Sequence, residues 1–255
     1  MIRRIISLTP SITETLFALG AGDRVVGVTD SCDFPQEANE IPHVCSWFDP
    51  DMERIGELKP DLVIGLETAH GKMKTAFKAV GIQLVLLNPV FIVDVFTDIL
   101  KLGVFLELQQ AAQAIVDDLY QRLNKLSEQV RQIPHENRLT VSRVLDVEND
   151  DLIVAGPKSF QFDVIKCAGG INVTGGIDEA YPKVSFDRFK KWNPEMIFFC
   201  GSDKRWIEKI KNDPLWQNLR SVQKERIYQF DCGLTCRTGP RIVDMAELLY
   251  KTLYA

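Results

Sequence analysis

The sequence predicts an α/β protein of two similarly built lobes joined by one long helix, and three observations carry that prediction. The chain up to Val28 reads as strand, helix and strand; one short helix-to-strand unit occurs once in each half; and a single apolar helical stripe runs between the halves. With 255 residues, 45% of them hydrophobic and 25% charged, the chain can bury a core as one large domain or two lobes.

Ile5, Ile6 and Leu8 form an apolar run of strand character. Ser11-Ile-Thr-Glu14 has the spacing of a capping box, in which hydroxyl and carboxylate satisfy the free amides of a helix start, so a helix is expected to begin near Ser11. Ile12, Leu16 and Leu19 give that helix an apolar stripe, Gly20 and Gly22 end it, and Val25-Val-Gly-Val28 resumes as a strand. In such a βαβ unit the loop after the first strand and the helix start face the crevice where ligands bind. The turn carries Thr9 and Pro10 where a phosphate-gripping loop carries glycines, so a shaped wall is expected there rather than an anion nest.

Met52-Glu-Arg-Ile-Gly-Glu-Leu-Lys-Pro-Asp-Leu-Val-Ile64 and Phe186-Asp-Arg-Phe-Lys-Lys-Trp-Asn-Pro-Glu-Met-Ile-Phe198 share one order of acid, Arg, apolar, Pro, acid and apolar run. Each reads as a short helix, a proline that stops it and a buried parallel strand. Between the copies, Leu108, Ala112, Ile115, Leu119, Leu123, Leu126, Val130 and Ile133 recur at steps of three or four. With Pro134 as terminator they predict a helix of about 28 residues and about 42 Å, a rigid strut. The expected layout is an N-terminal lobe over 1–103, the connecting helix over 104–133 and a C-terminal lobe over 134–255, with a ligand cleft between lobes that closes little on binding.

A net charge of −5 and a pI near 5.4 argue against a nucleic-acid partner, and no apolar run approaches the roughly 20 residues of a membrane helix. Met1-Ile-Arg-Arg leads straight into the first strand without the apolar core of a secretory signal, which as given implies a cytoplasmic chain unless a leader was removed. Cys32, Cys45, Cys167, Cys200, Cys232 and Cys236 form no paired Cys-x-x-Cys knuckles, so reduced, mostly buried thiols are expected and no metal site; Cys232 and Cys236 alone are close enough to pair or share a metal. No nucleophile elbow, phosphate loop, His-Glu-x-x-His or dinucleotide fingerprint is present. Of three histidines, His43 and His135 lie beside prolines in expected surface loops, and His70 reads as a loop imidazole that could face the cleft.

"RIISLTPSITETLFALG", "DFPQEANEIPHVCSWFDPDMERIGELKPDLVIG", "KCAGGINV" and "TGPRIVDMAELL" resemble the substrate-binding proteins of cobalamin and ferric-siderophore ABC importers, the cobalamin binders most closely. The resemblance implies two Rossmann-like α/β lobes on a helical backbone, no catalysis, no intrinsic cofactor, and a monomer that takes a corrinoid or another metal chelate to an ABC permease. It implies ligand contacts for Thr9, Pro10 and Ser11 in the first cleft loop, Phe34 and Trp47 as aromatics of the first lobe, and Tyr181 and Arg237 in the second. Leu66, a further ligand contact by this resemblance, stands where the cobalamin binders commonly carry Trp. Permease docking through one acidic residue per lobe points to Glu67, beside the aligned Gly71, and to Glu208 or Asp203. The partner of the cobalamin binders' disulfide has no counterpart, so Cys167 is expected free. Alternatives are a ferric-siderophore or haem binder of the same fold, and a cytoplasmic corrinoid-handling protein or enzyme motivated by His70 and the thiols near Arg237.

Overall fold

The computed structural model describes residues 2–46, 49–148, 151–201 and 205–254. In chain order its elements are β1 Ile5–Ser7, α1 Pro10–Ala18, β2 Val25–Thr29, β3 His43–Cys45, α2 Met52–Glu57, β4 Leu62–Leu66, α3 Glu67–His70, α4 Lys74–Ala79, β5 Leu84–Leu87, α5 Ile92–Phe105 and α6 Gln109–Arg131. There follow β6 Thr140–Glu148, β7 Asp151–Val154, α7 Phe160–Cys167, β8 Ile171–Asn172, β9 Lys183–Ser185, α8 Phe186–Trp192, β10 Met196–Cys200, α9 Arg205–Asn212, α10 Arg220–Gln223, β11 Ile227–Phe230, α11 Cys232–Thr235 and α12 Ile242–Tyr254. They form two compact units: Met1–Pro89 with Val93–Tyr120 and Thr238–Pro240, and Gln121–Arg237 with Val90–Ile92 and Arg241–Ala255.

The first unit holds a five-stranded sheet in the order β3-β2-β1-β4-β5, every pair parallel. Parallel strands are covered on both faces and are therefore apolar throughout. Ile6, Leu8, Val44, Ile55, Val63 and Phe77 pack into one core beside it. The second unit holds the sheet β11-β10-β6-β7-β9, with β8 added along the start of β6. Here β10 and β11 run parallel to β6, while β7 is antiparallel to both β6 and β9. Phe186, Phe189, Phe199 and Trp216 anchor its core, with Phe186 and Trp216 edge to face at 4.9 Å.

The repeated unit folds alike in both halves. In each, the helix (α2, α8) is capped by the residue before it: the Asp51 carboxylate accepts from the Glu53 and Arg54 amides, and the Ser185 hydroxyl from the Arg188 amide. In each, the residue before the proline turns left-handed, Lys59 at φ 45° and Asn193 at φ 45°, and the following strand lies inside its sheet, paired on both sides.

Two expectations about helices change. Helix α1 begins at Pro10, next to Ser11 as expected but by another device: Thr9 is the N-cap residue, in extended conformation and without a side-chain capping bond, and the proline ring supplies the first helical φ. The Ser11–Glu14 capping box therefore does not start it. The strut α6 spans 23 residues, fewer than its apolar stripe suggests. Glu107 adopts φ 61° and separates it from α5, and the Leu108 carbonyl accepts the Ala112 amide, which places that stripe residue at the cap. At the other end Gln132 and Ile133 bond back to Gln129 and Val130 in tighter turns. No helix among the described residues is long and apolar enough to cross a membrane.

Candidate functional site

Because the first unit's sheet is all parallel, the loops after its strands share one edge. The Thr9–Ser11 turn follows β1, Phe34 lies in the segment after β2, and Leu66 ends β4 with Glu67 next. The order β3-β2-β1-β4-β5 reverses between β1 and β4, and ligands of open α/β sheets bind outside the carboxyl ends at such a switch.

The turn itself is a hydroxyl network. Ser7 Oγ donates to the Thr9 carbonyl at 3.0 Å, and Thr13 Oγ1 lies 2.8 Å from Ser7 Oγ and 3.2 Å from Cys32 Sγ. Thr9 Oγ1 and Ser11 Oγ are 3.3 Å apart. Thr9, Pro10 and Ser11 are all buried, so the turn is an internally fastened wall rather than an open grip. Beside it Ser11, Thr15, Leu66 and Asp98 line a cavity of about 10 Å³, the size of one water. Asp98 is 6% exposed, with Lys101 Nζ 3.1 Å from one carboxylate oxygen, and burial raises its pKa against the lysine's pull.

Phe34 is 43% exposed and Tyr181 44%, which makes neither a core residue. Tyr181 donates its hydroxyl to Gln161 Oε1 at 3.1 Å; the ring flank is open while burial around the oxygen raises the phenol pKa. Arg237 is half-buried, its guanidinium carbon 3.7 Å from where a Cβ on Gly233 would lie. Trp47 and Asp203 lie outside the described residues. Leu66 is half-buried and its amide donates to His70 Nδ1 at 3.1 Å. Glu67 pairs with Lys74 Nζ at 2.7 Å, and a Cβ on Gly71 would sit 2.8 Å from Glu67 Oε1. Glu208 is exposed on α9.

Two histidines and most of the described thiols differ from expectation, whereas His135 is exposed as expected. His70 is fully buried, its ring filling the space beside Gly65 and fastening the start of α3, so it is no loop imidazole. His43 is part of β3, paired in register with Val28, and not in a surface loop. Of the described free thiols only Cys32 is fully buried; Cys167, Cys200 and Cys236 are half-buried and Cys232 is exposed. Cys167 is free, its thiol pushed up to about 12 by burial and then by Asp163.

Sequence reading missed Cys200 and Arg143. The Sγ atoms of Cys200, Cys232 and Cys236 lie within 4.8 Å of one another, and Arg143 Nη2 is 3.7 Å from Cys236 Sγ. The Cys236 hydrogen bond lowers the Cys200 thiol to about 7 against burial, with help from the Arg143 charge. One signal was available: the repeat places Cys200 where the first half has Leu66, already a candidate ligand contact.

The chain is 26% identical over 258 residues to an uncharacterized ABC transporter substrate-binding lipoprotein of Bacillus subtilis, covering 99% of this chain and 80% of that one. A vitamin B12-binding protein of Yersinia pseudotuberculosis is 27% identical over 203 residues, 79% of this chain and 71% of its own. Among solved structures, a periplasmic heme-binding protein of Pseudomonas aeruginosa superposes with a TM-score of 0.89 at 23% identity, over 100% of this chain and 93% of that one. The family described as periplasmic binding protein matches residues 5–232, from β1 to the first residue of α11. Two α/β units, a helix running from one into the other and a match across most of both lead to one conclusion: the chain belongs to the periplasmic binding protein family.

Proposed function

We propose that the protein binds a corrinoid, as a monomeric substrate-binding component of an ABC importer working outside the cytoplasm, and catalyses no reaction. The observation that carries the reading is the likeness to a vitamin B12-binding protein over 79% of the chain, joined to two exposed rings, Phe34 and Tyr181, at positions expected to touch ligand. A corrin offers broad faces to aromatic rings and amide edges to hydroxyls, which suits a wall such as Thr9–Ser11 better than a glycine nest would. Haem or a ferric siderophore is the second ligand class, favoured by the fold shared with a heme-binding protein. The cytoplasmic expectation finds no support in the family. Of the residues behind the enzyme alternative, His70 is fully buried and accepts the Leu66 amide, while the thiols near Arg237 are partly exposed. Glu67 and Glu208 are the acidic residues assigned to the permease.

Titrating the purified protein with cyanocobalamin, haem and a ferric siderophore, by calorimetry and absorbance, tests the reading. Saturable 1:1 binding of cyanocobalamin is expected. No binding at high micromolar concentration while another chelate binds reverses the ligand ranking, and binding of none overturns the reading. Turnover of a corrinoid that His70→Ala or Cys236→Ser abolishes would install the enzyme instead.

A further inference from the structure

Strands β10 and β11 end side by side, with Cys200 opposite Phe230. Directly after β11 the Asp231 carboxylate accepts the Gly233 amide at 2.7 Å and starts the single turn α11. Cys232 and Cys236 sit four residues apart about that turn, so both thiols come to the same side, toward the end of β10. The three sulfurs consequently gather within 4.8 Å of one another, although the linear sequence shows only the local pair.

Arg143, in the neighbouring strand β6, is 1% exposed. Among the described residues its side chain meets the Val144 carbonyl, Cys236 Sγ at 3.7 Å and the Phe198 ring at 5.8 Å, and its Nε has no hydrogen-bond partner there. A buried guanidinium needs an anion beside it to offset its desolvation. The Cys236 sulfur in contact with it becomes such an anion when a metal ion displaces the thiol proton.

We propose that Cys200, Cys232 and Cys236 form a three-thiolate site for one thiophilic metal ion of closed d-shell, Zn(II) or Cu(I), with Arg143 balancing the charge. Metal–sulfur bonds of about 2.3 Å place the sulfurs of such a site about 3.8 Å apart, so the thiols need close by only about 1 Å. Each thiol gives its proton to solvent as its sulfur binds; three thiols and one M(n+) become one thiolate complex and three released protons, and nothing is oxidised. Three sulfurs without oxygen or imidazole disfavour Mg(II), Ca(II) and Mn(II). With Zn(II) the complex carries one negative charge, which the guanidinium offsets. A cavity of about 90 Å³ borders Cys200, and the Gln229 Oε1 on its wall is buried without a partner among the described residues, so water has room and a polar group there as a fourth ligand. The site belongs to the second unit alone and does not depend on the chelate reading.

The test uses the full chain, reduced and metal-free, titrated with Zn(II) against a chromophoric chelator and with Cu(I) against a Cu(I)-specific competitor, proton release being followed in weak buffer. One equivalent is expected for at least one ion, with proton release, at least tenfold tighter than in Cys200→Ser or Cys232→Ser and unchanged in Cys167→Ser. Cys232 is exposed, so its serine variant should fold whatever the fate of the Cys200 variant. X-ray absorption of the loaded protein should show three sulfurs near 2.3 Å. Binding of both ions as weak in the wild type as in Cys232→Ser overturns the proposal. So does a Cys232–Cys236 disulfide, mapped by mass spectrometry, that forms with stoichiometric metal present.

Discussion

Asp61 and Glu195 show how one carboxylate aligns a strand. Asp61 accepts the Arg3 and Arg4 amides at 2.8 and 2.9 Å through one oxygen, while its own amide donates to the Arg4 carbonyl at 2.8 Å. Glu195 repeats the arrangement on Thr140, accepting its amide at 3.2 Å and donating to its carbonyl at 2.9 Å. The acid after each proline thus closes the ladder to the neighbouring strand, which explains why both copies carry one. The backbone bonds from Arg3 and Arg4 hold the Asp61 pKa below its ordinary value. At the proposed ligand contacts the question is instead what a side chain leaves open. Phe34 and Tyr181 keep over two-fifths of their surface exposed, so truncation removes little packing. Phe34→Ala and Tyr181→Ala should each weaken cyanocobalamin binding at least tenfold, since losing an anchoring aromatic costs about 2 kcal/mol, with the melting temperature of the free protein nearly unchanged. A stability loss of about 3–5 kcal/mol in either variant would mark a core residue and remove it from the site.

Elements in this chain are ended by specific devices, and those devices can be tested. Lys59 and Asn193 close α2 and α8 in the left-handed conformation, which costs an ordinary side chain about 1–2 kcal/mol and asparagine less. Lys59→Gly should therefore gain up to about 1 kcal/mol in urea melts after the glycine's added unfolded freedom is subtracted, and Asn193→Gly should gain less. A clear loss in Lys59→Gly would show that the lysine side chain holds the turn in some other way. His70 is the device at the start of α3. Removing it as His70→Ala leaves the Leu66 amide without its acceptor and a cavity beside Gly65, a loss of about 2 kcal/mol or more that a thermal melt will read. An unchanged melt would return His70 to the candidate functional residues.

For the molecule as a whole, a net charge of −5 makes the placement of cations decisive for its response to acid. Arg122 on α6 meets Glu247 on α12 at 2.8 Å and Asp244 beside it, fastening the long helix to the last one. The Arg122 hydrogen bond lowers the Glu247 pKa against burial, and the pairing raises that of Arg122. A carboxylate lowered on folding stabilises the native state above its unfolded pKa of 4.5, and that contribution is lost as pH falls through the folded value. Glu247→Gln should thus melt below wild type at pH 7, with the gap narrowing below pH 4.5 and closing in stronger acid. A gap that stays constant across that range would assign the loss to packing rather than charge.

The sequence by itself determined the class of fold, because apolar periodicity, prolines and small caps act within a few residues: the βαβ start, both copies of the repeat and most of α6 were legible this way. It also carried the family resemblance and the free Cys167. Burial was not legible. His70 looks like a loop residue and is fully enclosed, and the hydroxyls of Thr9 and Ser11 are fastened within their turn, because which face a short segment turns inward depends on the strands beside it. The device that starts α1 differed for a similar reason: the hydroxyls of Ser7 and Thr13 hold the turn between them, and the proline needs no amide partner. Only tertiary structure set Cys200 and Arg143 against Cys232 and Cys236, since residues far apart in sequence become neighbours when β6, β10 and β11 align in register, and no local pattern encodes that alignment.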